Sequence, residues 1–310
     1  MRGWRTRRML ALIVAAVFMF ALAGPAAAHE VFFKAPLEGV QGAPVEVRLC
    51  WGHFPGDLDP ESRYFAEIPG GRLYLLTPEG EEIDLTLEAA EDHYRATFVP
   101  GTGGDFQVVF AHARGVLEWQ WSEPRGTQKV FYYAKVFVPV DGEPDIHAYD
   151  RPAGLDLEVI PVTDIGHFHV GDEFRGVVRY LGQPLGGVTV YVVSPLAEDS
   201  HGDSLELTTE ADGSFAFTAD AEGLWMIKIG YFDGERRGQE TGQAYEGVRY
   251  ASTTFFPVHG HDGEGHTHGA EPAPAAAAAG GGTALFLGAA VLLAAGAVLF
   301  LVLGRKYKRQ

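Results

Sequence analysis

Twelve histidines occur in this 310-residue chain, and four of them crowd into the stretch His259-Gly260-His261-Asp262-Gly263-Glu264-Gly265-His266-Thr267-His268. Imidazoles alternating with carboxylates on a glycine-rich backbone are a compositional signal for metal binding. Neutral imidazole ligates nickel, cobalt, copper and zinc, and it releases them on protonation. His259, His261, His266 and His268 are therefore candidate ligands of an exchangeable capture segment. A polar linker that uses histidine only for solvation is the plainer alternative.

A second candidate is His29. Arg2, Arg5, Arg7 and Arg8 precede the apolar run Met9 to Leu22, a Gly24-Pro25 breaker and Ala26-Ala27-Ala28. This is the pattern of a secretory leader, with cleavage expected between Ala28 and His29. The freed α-amino group and imidazole of His29 could then chelate one borderline metal ion together. Glu30 to Phe33 reads as a strand that would tie the new terminus down. His53, joined by His112 or His93, is expected to complete a shell, although His112 also fits a hydrogen-bonded place at the core edge, on the apolar face of Phe106-Val108-Phe110. His93 fits an exposed turn. His167 and His169 would share one face if extended.

At the far end, Thr283 to Gly304 is uncharged and would reach roughly 33 Å as a helix, enough to span a bilayer. Arg305, Lys306, Lys308 and Arg309 follow, which places residues 305–310 in the cytoplasm and the body of the chain outside the membrane. The expected localisation is thus single-pass in the inner membrane, with a periplasmic body. The chain holds 24 Lys and Arg against 41 Asp and Glu. Without the leader and the tail, 16 remain against 41, or −25. Such a charge disfavours nucleic acid and anionic headgroups and draws cations.

Between the two ends, short alternating apolar runs are broken by Gly, Pro and Asp, which predicts an all-β body. Strands are expected at Val45–Cys50, Arg72–Leu76, Tyr94–Val99, Phe106–His112 and Lys129–Val138, forming a first β-sandwich over 29–140. A linker at 141–154 leads to a second sandwich over 155–257, with strands at Glu173–Tyr180, Val188–Val193, Leu205–Thr209, Ser214–Thr218, Gly223–Tyr231 and Arg249–Phe256. A flexible tether (258–282) then reaches the transmembrane helix (283–304). Cys50 is the single cysteine, so no intramolecular disulfide can form. Its strand position suits a buried small hydrophobe, with a copper-binding or redox thiol as the other possibility.

The second half carries Gly182-x-Pro184-Leu185-x-Gly187-x-x-Val190, Thr209-x-x-Asp212-Gly213-x-Phe215-x-Phe217 and Gly223-x-Trp225. It resembles the carboxypeptidase-regulatory, or transthyretin-like, β-sandwich. With Leu157 to Asp164 and Val170 to Phe174 added, most of residues 29–257 resembles the DUF4198 family of exported proteins. That family's Ala-His start and Gly-His-Pro-Phe segment correspond to Ala28-His29 and to Gly52-His53-Phe54-Pro55, the last two residues being transposed here. The resemblance implies two tandem immunoglobulin-like or transthyretin-like sandwiches. It also implies a part in nickel or cobalt uptake beside a permease in the same membrane, and it supports His29 and His53 as ligands.

No nucleophile elbow, phosphate-binding loop or zinc-protease helix motif occurs, so the chain is not expected to be an enzyme. The expected function is a membrane-anchored metal-binding protein that assists uptake of nickel or cobalt, with copper or zinc as other possible ions. The alternatives are an adhesive module, for which Trp119 and Trp121 could stack on a glycan, and a copper protein built on an N-terminal histidine.

Overall fold

A computed structural model describes residues 29–198, 200 and 204–260. The expected leader, His261, His266 and His268, the expected membrane helix (283–304) and the basic tail lie outside the described residues. Among the described residues, no helix is long and apolar enough to cross a membrane.

The body is all-β. The first half supplies β1 (Glu30–Lys34), β2 (Gly39–Val40), β3 (Val45–Gly52), β4 (Arg72–Leu76), β5 (Glu82–Asp84), β6 (Glu88–Ala89), β7 (Tyr94–Phe98), β8 (Gly103–Trp119), β9 (Gly126–Asp141) and β10 (Asp145–Ile146). The second supplies β11 (Leu157–Pro161), β12 (Glu173–Tyr180), β13 (Gln183–Pro184), β14 (Thr189–Val193), β15 (Ser204–Thr208), β16 (Ser214–Thr218), β17 (Gly223–Asp233), β18 (Gly238–Glu240), β19 (Gln243–Tyr245) and β20 (Val248–Val258). Alternation in the sequence becomes alternation in burial: Val45, Val47 and Leu49 point inward while Glu46 and Arg48 face solvent, as a half-buried strand requires. The strands expected at Phe106–His112 and Lys129–Val138 prove to be parts of β8 and β9. These two pair antiparallel along nearly their whole length, through a bulge between Ala113 and Gly115.

The two halves share one sheet. Ten strands join in it, with a central path β15-β14-β17-β20-β9-β8-β4-β5. The joint is a parallel pairing of β20 with β9, from Val248 opposite Lys129 to Phe255 opposite Val136. Pairing β9 with β20 removes an exposed strand edge from each half. Alternate residues of this shared sheet enter two different cores. Val108, Val136, Met226 and Phe255 pack toward the small sheet β1-β3-β7-β6. Val109, Phe137, Ile227 and Phe256 pack toward the small sheet built on β11, β12 and β16. Where two sandwiches strung on a linker were expected, two small sheets pack on the two faces of one shared sheet.

Residues 141–154 are correspondingly fixed, not free. β10 pairs in parallel with β8, and the Ala148 N–H donates to the buried Asp105 carboxylate at 2.8 Å. Arg151 donates to the Thr77 carbonyl at 3.0 Å, and the Tyr74 hydroxyl to the Ala153 carbonyl at 2.9 Å. The absence of 3.6-residue periodicity and the richness in Pro, Gly and Asp signal a loop here, but they do not reveal what the loop docks against.

Candidate metal centre

The register of β1 against β3 determines what faces His29. Glu30 lies opposite Gly52, Val31 opposite Trp51 and Phe32 opposite Cys50. One further step along this antiparallel ladder puts His29 across from His53, where side chains of neighbouring strands meet. Their rings lie 4.5 Å apart between centroids. The two histidines singled out in the sequence are thus brought together.

A tight loop adds a third group. The His53 N–H donates to the Asp57 carbonyl at 2.8 Å, and the Asp59 N–H to the Trp51 carbonyl at 2.8 Å. This folds residues 53–58 back on the end of β3. Gly52 permits it with φ at +150°, where a Cβ would overlap the Asp57 carbonyl oxygen. The Asp59 carboxylate consequently reaches His29 Nε2 at 3.1 Å. A carboxylate on Nε2 fixes the ring tautomer and leaves Nδ1 as the open nitrogen, the usual arrangement behind metal-ligating histidines.

β1 is anchored from both halves of the molecule. Glu30 is buried, accepts the Phe54 N–H at 3.1 Å and pairs with Lys228 of β17 at 2.9 Å. The Thr253 hydroxyl donates to the Val31 carbonyl at 2.8 Å. His29, Trp51 and Asp59 form part of the wall of a cavity of about 1110 Å³ that also takes in Lys228, Arg249 and Trp121. Arg249 is buried against Trp119 and donates to Gln128, Ser122 and the Pro124 carbonyl. Burial pushes its guanidinium pKa down to about 10.

His112 stands apart. Its Nδ1 shares a 3.0 Å hydrogen bond with the Tyr64 hydroxyl, and the rings of Trp51 and Tyr64 lie in contact between it and His29. Burial holds its imidazole below the ordinary value of 6.5, helped by the nearby Arg114 charge. The same burial raises Tyr64 well above 10, so the phenol stays protonated. This is the core-edge arrangement open to His112 from the sequence. His93 is engaged by Asp92 at 2.6 Å. Cys50 lies in the core, and burial pushes its thiol up to about 12, which suits a small hydrophobe.

His259 closes the last strand beside His169, with ring centroids 6.0 Å apart. Its carbonyl accepts the Val170 N–H at 3.0 Å and its own N–H donates to the Phe168 carbonyl at 2.8 Å. Among the described residues, one group of three side chains presents converging ligand atoms, and sequence reasoning missed it as a group: His147, Asp164 and His167. His147 Nδ1 lies 3.6 Å from Asp164 Oδ2, and His167 Nδ1 lies 3.5 Å from the same oxygen. An Asp and a His at i and i+3 was a signal present in the sequence. The third member comes from another segment.

Residues 26–233 match the family model described as Domain of unknown function (DUF4198). The chain belongs to the DUF4198 family. No curated protein matches it. Among solved structures, a protein from Corynebacterium diphtheriae described as membrane anchored is 10% identical with a TM-score of 0.22, over 75% of this chain and 59% of its own length. A DUF4785 family protein from Legionella pneumophila is likewise 10% identical at a TM-score of 0.22, over 64% of this chain and 50% of its own. This DUF4198 chain thus spans between half and three fifths of those chains, and likenesses this low carry no argument about its fold or activity.

Proposed function

We propose that this DUF4198 protein is a membrane-anchored, extracytoplasmic binding protein for a divalent transition metal, nickel or cobalt foremost, which presents the ion to an uptake permease in the same membrane. The observation that carries the reading is the meeting of His29 and His53 across the β1–β3 ladder, with Asp59 on His29 Nε2. In this reading the leader is removed after Ala28. The freed amine and Nδ1 of His29 then form one chelate, His53 supplies another nitrogen, and Asp59 orients the ring without binding the ion. The histidine-rich tether samples ions and the site holds one. The second half is read as transthyretin-like and serves to brace β1 through Lys228 and Thr253.

An amine and imidazole nitrogens in one plane also suit Cu(II). The same Asp59 contact, which reserves Nδ1 for a terminal chelate, therefore supports a copper protein as the second reading. Calorimetric titration of the processed chain with Ni(II), Co(II) and Cu(II), beside His29→Ala and His53→Ala, tests both and ranks the ions. The reading expects each substitution to weaken binding by at least about a hundredfold, beyond the roughly 10–100-fold that outer-shell changes cause. Unchanged affinity in both variants would remove the site from this place.

A further inference from the structure

None of His147, Asp164 and His167 lines the cavity beside the β1–β3 site, and they come from two segments. His147 follows β10 in the stretch joining the halves, whereas Asp164 and His167 sit in the loop between β11 and β12. Both imidazoles approach the same carboxylate oxygen, Asp164 Oδ2, through Nδ1 at 3.6 and 3.5 Å. These separations are longer than the roughly 2.7–3.2 Å of a good N–H···O hydrogen bond. They match the edge of a tetrahedron with bonds of about 2.0–2.1 Å, which is roughly 3.4 Å. With all three ligand atoms within 4.8 Å of one another, the group is compact enough to close around a shared ion.

The surroundings hold the three groups in that arrangement. The other carboxylate oxygen, Asp164 Oδ1, accepts the Gly166 N–H at 3.0 Å, which leaves Oδ2 to the two imidazoles. Each ligand is followed or closely trailed by a buried residue that fixes its backbone: Ala148 after His147, Ile165 after Asp164 and Phe168 after His167. The Ala148 N–H is itself held by the buried Asp105. Asp145 lies on the side of the remaining nitrogen of His147, at 3.8 Å, and adds negative charge beside the cluster. Among the described residues no lysine or arginine forms an ion pair with Asp164; its ion-pair partners are the two histidines. Anchored backbone thus brings these solvent-facing side chains to one place, open to an incoming ion.

We infer that His147, Asp164 and His167 form a second metal site, taking a zinc-like divalent transition ion through two imidazole nitrogens and one carboxylate oxygen, which fastens the 141–154 segment to the β11–β12 loop. Water completes the shell. The ion bridges the segment docked on β8 and the loop that follows β11, so its presence stabilises the joint between the two halves.

The test uses the full chain in detergent with His261, His266 and His268 changed to alanine, so that the tether does not contribute. Zn(II) and Co(II) binding is counted by equilibrium dialysis in this parent, in Asp164→Asn, in His147→Ala/His167→Ala and in His29→Ala/His53→Ala. The expected result is the loss of one bound ion in Asp164→Asn and in the 147/167 pair, with that ion retained in the 29/53 pair. The parent should also become more resistant to proteolysis within 141–154 when Zn(II) is added, and Asp164→Asn should not. Parent-like stoichiometry in a folded Asp164→Asn and a folded 147/167 pair would overturn the site. Because the 29/53 pair is scored separately, failure of the β1–β3 site would show as its own missing change.

Discussion

Lys135 offers a quantitative test of the shared-sheet architecture. It rises from β9 into the core between the ten-stranded sheet and β11, with its side chain 1% exposed, and its ammonium lies 3.3 Å from Glu158, whose side chain is 5% exposed. It also donates to the Val159 carbonyl at 2.9 Å, while Glu158 accepts the Ala153 N–H at 2.9 Å. Burial lowers the lysine's pKa and the carboxylate opposes that shift. Removing one partner of such a pair strands a charge in the core and costs about 3–5 kcal/mol, while replacing both is often neutral. Lys135→Met should therefore lower the unfolding free energy by about 4 kcal/mol, which at roughly 2–4 °C per kcal/mol for a chain of this size is about 10 °C in Tm. Glu158→Gln added to Lys135→Met keeps an acceptor for the Ala153 N–H and should recover most of the loss. Urea and thermal unfolding of the two variants measure both quantities. A single variant costing less than about 1 kcal/mol, or no recovery in the pair, would refute the reasoning.

Three further outcomes follow from the same geometry. His112 is held below its ordinary pKa of 6.5 in the folded chain, so the unfolded state takes up the proton first as pH falls. The stability present above about pH 6.5 should decline as pH drops from there toward the lower folded value, and His112→Gln should flatten that part of a stability–pH curve; identical curves would contradict the assignment. Gly52→Ala must place a Cβ against the Asp57 carbonyl at a φ of +150°, which should cost about 1–3 kcal/mol and weaken nickel binding by displacing His53 and Asp59. Retained stability and affinity, measured by unfolding and calorimetry, would show that the loop does not position them. Cys50, buried with its thiol pushed up to about 12, should resist iodoacetamide in the native chain and react on unfolding; rapid native labelling would expose the assignment as wrong.

Much of the architecture was legible because burial on one face imposes a period of two. Val45 to Leu49 and Tyr94 to Phe98 show it directly in their burial. The sharing of the central sheet was not legible. It depends on β9 pairing with β20, strands more than a hundred residues apart whose two faces are both buried, and such strands read as continuous apolar runs with no marker of their neighbour. The pairing of His29 with His53 could be anticipated from the family resemblance. The role of Asp59 could not, because it depends on how residues 53–58 close, and carboxylates are too common to stand out. His147 was hidden for a related reason: its partners lie across a segment whose docking on β8 no local pattern encodes.

A transition-metal ion seated between His29 and His53 in the processed chain is open to direct observation. Crystals of that chain grown with Ni(II), measured on both sides of the nickel absorption edge, test it most directly. The expected result is an anomalous peak bonded to the His29 α-amino nitrogen, to His29 Nδ1 and to His53, with Asp59 on the far ring nitrogen. A His29 that carries its leader, or anomalous density confined to other histidines, would contradict it.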